Sequence, residues 1–328
     1  MRKSTLQPIP YLKFAMKWPK LLIASLCLMS ACQTERILPL SLDNILSVGE
    51  PIRDIEQSPS NNSLWVIGGN TFASGFVLQS EDGVTFDTLL TTGKGLEQFI
   101  QRDTDSLLVI GYDGLRYVSF DQGMTWEGAN DPSYAPLQAA HWFSNKRFVA
   151  VAGEGYNRGS CHVADSLWFV WDSTKQNLAL YDLGWEASSG HLIAVGAGGG
   201  LLSPDLGQTW EAIPMEGDVF IDIECREEKC LILGFSGRRY IYNGNSFTRI
   251  SGGMPKGITG IRSMSCSDDG NCLAVGDNGL CLWTRDFGNT WITMEIPTAQ
   301  WSAVQHTEST HTFYLGNQEG EVYRLFLP

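Results

Sequence analysis

Three copies of one eight-residue pattern set a carboxylate and an indole at fixed spacing. They are Ser119-x-Asp121-x-Gly123-x-Thr125-Trp126, Ser203-x-Asp205-x-Gly207-x-Thr209-Trp210 and Thr284-x-Asp286-x-Gly288-x-Thr290-Trp291. An Asp and a Trp repeated this way look like an active-site signature. Ser, Asp and Gly crowded between two apolar runs describe something else: a turn whose carboxylate accepts backbone N–H groups, whose glycine supplies a permissive dihedral, and whose tryptophan packs between sheets. On this reading Asp121, Asp205 and Asp286 hold turns, and Trp126, Trp210 and Trp291 hold interfaces.

Other groups are better placed for contact. Two of the longer connections, Glu154 to Gly159 and Phe235 to Arg239, carry Arg158, Arg238 and Arg239, which suit an anionic or polar partner unless they are simply solvated. Short turns elsewhere present Asp113, Asp277 and Glu319. Arg53, Asp54, Asp222 and Arg262 fall early in their repeats and are expected at a channel mouth, as a cluster or as ion pairs. The five histidines are scattered without ligand spacing, so neither metal nor cofactor is expected. Cys225 and Cys230 flank one hairpin turn, and Cys266 and Cys272 flank another. Cysteines facing each other across a hairpin end lie within disulfide reach, so both bonds are predicted; Cys161 and Cys281 read as core thiols.

The elements that position these residues repeat. An apolar run ending in glycine recurs at Gly68, Gly111, Gly153, Gly196, Gly234, Gly276 and Gly316, with spacings of 43, 42, 43, 38, 42 and 40. Seven copies at a period near 40 mean a propeller or solenoid. The 35 glycines in 328 residues suit short strands and tight turns. Each unit reads as a four-stranded antiparallel blade, giving an all-β, seven-bladed propeller over residues 37–328. Blade 1 has a weakened turn motif, Glu81-x-Gly83-x-Thr85-Phe86, and blade 3 an insertion from Tyr156 to Asp165. Blade 7 ends at Pro328 before any fourth strand, so Ile37–Leu42 is predicted to close it and remove the exposed edges.

Residues 1–31 stand apart. They carry Arg2, Lys3, Lys13, Lys17 and Lys20 with no acid, then the run Leu21 to Met29 and Ser30-Ala31-Cys32. A basic start, a run too short to span a bilayer and small residues at the end read as a secretory signal. The cysteine that follows makes the segment resemble a bacterial lipoprotein signal, although Met29 stands where leucine is usual. That resemblance implies acylation at Cys32, a short tether over residues 32–36, and, with Gln33 in place of Asp, the outer membrane, on a face the sequence leaves open. Removing residues 1–31 takes five basic residues and no acid, leaving a net charge of about −18. Charge of that sign excludes nucleic acid as a partner.

The repeats also carry a family likeness. The Val-Gly-(Asp)-x-Gly run with the Ser/Thr-x-Asp-x-Gly-x-Thr-Trp box, best matched from Leu273 to Trp291, resembles the Asp-box (BNR) propellers of the photosystem II stability/assembly factor family. The resemblance implies a non-enzymatic assembly factor that holds a protein partner on the propeller face opposite the boxes. Nothing in the chain indicates photosynthesis. Sialidases share the box, but their Arg-Ile-Pro motif fails here, where Arg53 precedes Asp54-Ile55. A glycosidase or carbohydrate-binding propeller is the alternative, and a monomeric protein-binding scaffold at the cell envelope is the main expectation.

Overall fold

The second strand of every blade is an apolar run buried on both faces, such as Leu64–Gly68 (LWVIG), Leu107–Gly111 (LLVIG) and Cys272–Gly276 (CLAVG). Such runs fit strands sandwiched between neighbouring sheets. Around them, a computed structural model shows seven four-stranded antiparallel sheets. It describes residues 40–327 except 59–60, 131–133, 144–146, 166–171, 227 and 308–310. The chain from Ile37 to Pro328 forms one compact unit, a seven-bladed β-propeller. In blade 6 the strands, from channel outward, are Ile261–Cys266, Cys272–Gly276, Cys281–Thr284 and Ile292–Thr293.

The ring closes as the repeat count requires, with one shift of boundary. The outermost strand of blade 7 is Ser41–Ser47, paired with Glu321–Phe326 from Ser41 opposite Phe326 to Ser47 opposite Glu321. Ile37–Leu42 is the nearest strand-like run before blade 1, whereas an outermost strand is half-exposed and accepts the irregular SLDNILS; residues 37–39 lie outside the described residues. Blade 3 also departs from expectation. Its third strand is Arg158–Asp165, joined to Arg147–Glu154 by a tight turn, so the supposed insertion is mostly strand. Polar Ser160 and His162 disguised it: both are buried, and they hydrogen-bond each other at 2.7 Å.

Two devices recur around the ring. Each innermost strand has a register shift after its first buried residue, for example between Ile52 and Asp54, Leu180 and Asp182, or Phe220 and Asp222. Such bulges bend and twist the strand. In blades 1, 2, 4 and 6 the signature glycine lies where the second strand crosses the chain entering the blade. A Cβ at Gly276 would sit 1.9 Å from the Gly260 carbonyl oxygen, and at Gly196 1.9 Å from that of Ala179. Only glycine permits so close an approach.

The hairpin cysteines are direct cross-strand partners and form disulfides, Cys225–Cys230 and Cys266–Cys272. Cys161 and Cys281 are free and buried. Because these bonds close loops of only five or six residues, the C266A/C272A variant is expected to lose about 2 kcal/mol, read from urea unfolding.

Candidate functional site

The repeated carboxylates are consumed by their own turns. Asp121 Oδ1 accepts the Thr125 amide at 2.8 Å and the Ser119 hydroxyl at 2.8 Å, while Oδ2 accepts the Thr125 hydroxyl at 2.6 Å. Asp205 and Asp286 repeat the arrangement with Thr209 and Thr290. Thr125 holds the Asp121 carboxyl below its usual range; for Asp205 and Asp286 partial burial pushes upward but the threonine bonds outweigh it. Each indole donates to the motif glycine: Trp126 to Gly123, Trp210 to Gly207 and Trp291 to Gly288. Trp291 is buried between blades 5 and 6, and Trp126 and Trp210 pack at the equivalent junctions. In blade 1 the carboxylate in this role is Asp82 rather than Glu81, in a turn one residue shorter.

Bulges in the innermost strands aim side chains into a central channel, a cavity of about 920 Å³ that all seven blades line. At the position after the bulge, five blades carry an oxygen that accepts an amide of the next blade. Asp54 accepts Phe99 N–H at 2.9 Å, Gln98 accepts Ala140 at 2.7 Å, Asp182 accepts Ile223 at 2.8 Å, Asp222 accepts Met264 at 2.7 Å and Ser263 accepts Val304 at 3.3 Å. Blades 3 and 7 have Ala139 and Ala303 there. The channel thus doubles as a seam that stitches blade to blade.

Arg53, Asp54, Asp222 and Arg262 all line this cavity, but not as one ion-paired cluster. Arg53 reaches Glu97 at 3.9 Å, and Arg262 grips Asp277 through two bonds of 2.9 and 3.0 Å. Sequence reasoning missed Glu56, Glu97, Asp182 and Glu224, which share the lining. The signal was present as alternation along the innermost strands, Asp54-x-Glu56 and Asp222-x-Glu224, since residues two apart face the same side.

These carboxyls line the channel yet are enclosed by protein, and burial pushes them up: Asp54 to about 6 and Asp182 to about 7. Asp222 is raised well above its usual value by burial and by the adjacent charge of Asp182; Glu56, Glu97 and Glu224 are also raised, mainly by burial. A carboxyl whose folded pKa is raised binds its proton more tightly folded than unfolded. Its contribution is present in full below about pH 4 and is lost as pH rises through about 6 to 7. His141 opposes this, since burial lowers it to about 4 and keeps it neutral, but six carboxyls outweigh one imidazole. Urea unfolding is therefore expected to show greater stability at about pH 5 than at about pH 7.5, by roughly 2 kcal/mol after solvent screening, and thermal melts a correspondingly higher Tm. An Asp182→Asn, Asp222→Asn variant should flatten the difference.

The architecture is shared with solved propellers. The chain is similar to YCF48. A structure of YCF48 from Cyanidioschyzon merolae matches with a TM-score of 0.67 at 14% identity, covering 87% of this chain and 98% of that one. A structure described as YCF48 bound to D1 peptide matches at 0.67 and 14%, covering 89% and 96%. The WD40 propeller domain of Doa1 matches at 0.69 and 9%, covering 88% and 97%. At these identities the likeness is one of fold. No family model and no curated protein matches the chain.

On this propeller, the rim around the cavity comprises the turns between second and third strands. Lys94 pairs with Asp113, Arg262 with Asp277, and exposed Arg158 with Glu154 at 3.2 Å; Glu319 is exposed. Arg238 is half-buried and donates to the Glu216 carbonyl at 3.3 Å. Arg239 is not part of the rim. It is 2% exposed and donates to the carbonyls of Gly288 (2.8 Å), Asn289 and Gly252, pinning the blade 6 turn to blade 5. Arg238 belongs to the turn and Arg239 opens the strand that follows, so the pair does not share a surface. Arg116 holds the same register in blade 2 and is fully buried.

Proposed function

We propose that this chain is a membrane-anchored scaffold or assembly factor of the bacterial cell envelope, acylated at Cys32 and non-enzymatic, which binds a protein on the rim around the channel. One observation carries the reading. The rim is a shallow ring of short turns, most of its charges paired with neighbours, around a polar channel whose carboxyls are engaged by the backbone. Such a surface suits a broad macromolecular contact better than the walled pocket that catalysis needs. Exposed Phe72, Tyr134 and Tyr156 at the same end add the aromatic anchors typical of protein interfaces. The YCF48 structure with D1 peptide supports a protein partner by analogy of fold. With Arg239 buried, the contact rests on Arg158, Arg238 and the aromatic rim.

Glycoside hydrolysis has one observation in its favour: Asp182 and Asp222 form a close pair with raised pKa, the form of an acid/base couple. Purified residues 33–328 separate the readings. The scaffold reading expects no turnover of aryl glycosides, together with a membrane-derived partner that co-purifies with the acylated protein and is lost in R158E/R238E. Turnover abolished by Asp222→Asn would overturn it.

A further inference from the structure

We propose that the propeller rests on the membrane through the end that carries the box turns, with Val84, Phe120, Met124 and Phe326 against lipid and the channel mouth turned away. The inference rests on the acyl anchor at Cys32 proposed above, and goes beyond it by fixing orientation. Strand directions come first. Glu321 follows the mouth-side turn at Gln318–Gly320, so Phe326 lies at the opposite end of its strand, and Ser41 pairs with Phe326. The chain from the anchor therefore enters the blade at the box-turn end.

Reach comes second. Cys32 precedes Ser41 by nine residues, a span of at most about 32 Å. Bringing the mouth to the bilayer would use roughly 23 Å of that simply to pass along the seven-residue strand. Box-turn end down leaves the tether slack.

The surface supplies the third argument. Met124 is 77% exposed, Val84 63%, Phe120 54% and Phe326 43%. All four sit at the box-turn end of blades 7, 1 and 2, which are neighbours in the ring and include the blade the anchor enters. The corresponding tips in blades 4 and 6 are polar or compact: Gln208 and Asn289 replace Met124, and Pro204 and Arg285 replace Phe120. Among the described residues, the four most exposed apolar side chains at this end thus lie in the three blades nearest the anchor, with Ile292 of blade 6, the next neighbour, following at 37%. Exposed acids nearby, among them Glu81 and Asp105, disfavour anionic headgroups, so the contact is expected with zwitterionic lipid and should resist salt.

The test uses the acylated protein in phosphatidylethanolamine-rich vesicles, with an environment-sensitive fluorophore on Met124→Cys or, at the mouth, on Asn278→Cys. The native free thiols are buried and do not compete. Expected are a blue shift and quenching by lipids brominated in their acyl chains for the Met124 label, and neither for the Asn278 label. Failure of the protein to float with the vesicles would remove the anchor, and the inference with it. Flotation with both labels in water, or with the Asn278 label quenched, would leave the anchor standing and overturn the orientation. Shielding of the Met124 label that grows with protein density, without lipid quenching, would assign the patch to a second copy and also overturn it.

Discussion

Gly276→Val is expected to destabilise the fold by more than about 4 kcal/mol, enough to prevent accumulation of folded protein. A Cβ there would lie 1.9 Å from the Gly260 oxygen, 2.8 Å from its carbon and 3.0 Å from Ile261 Cα. The backbone cannot yield, because the Asp277 amide donates to that same Gly260 oxygen at 2.8 Å and Ile261 is a fully buried start of its strand. Gly93→Ala is the control: nothing lies within 4 Å of its Cβ position, and stability should change by less than about 0.5 kcal/mol. Urea unfolding of both variants checks the pair. Near-equal stabilities would mean that the recurrent glycine is not required by the crossing.

Arg239→Met is the second large effect, expected to cost about 3 kcal/mol, against less than about 0.5 kcal/mol for Arg238→Met. The two residues are adjacent in sequence and differ in what they hold. Arg239 carries donors to three carbonyls across the blade 5 to blade 6 junction, and removing a buried partner strands those acceptors without water. Arg238 has one long bond and partial solvent contact. Because Arg239 approaches the turn held by Asp286, its loss should also weaken protection of the Trp291 indole N–H in hydrogen exchange.

The contrast between these arginines marks what the sequence could show. Repetition made the architecture readable: glycine spacing counted the blades, and the missing fourth strand of blade 7 required a closing strand from the N-terminal side. Its position slipped to Ser41–Ser47 because outermost strands carry little apolar patterning. Blade 3 was misread because Ser160 and His162 satisfy each other out of solvent, which no hydropathy pattern reveals. The box turns were legible because their chemistry is local, with all partners within a few residues. The site was less so. Asp54 and Asp222 were recognised as channel residues, but their actual partners, Phe99 and Met264, lie 45 and 42 residues away. A bond between blades is set by the register of two bulged strands, and a single sequence does not print that register. Arg238 and Arg239 failed as a pair for a simpler reason: a strand begins between the turn and the second arginine.

A consistent division of labour follows from the geometry. Conspicuous motifs at one end of the propeller build turns and blade junctions, and the less patterned rim at the other end is where the proposed partner would bind. Photo-crosslinking tests this most directly, on the protein in the membrane proposed for it, with a crosslinking residue placed at Arg158 or Tyr156 on the rim and at Gln208 on a box turn. The account predicts a discrete protein adduct from the rim positions and none from Gln208. An adduct confined to Gln208, or rim positions that never crosslink while the purified protein hydrolyses a glycoside, would contradict it.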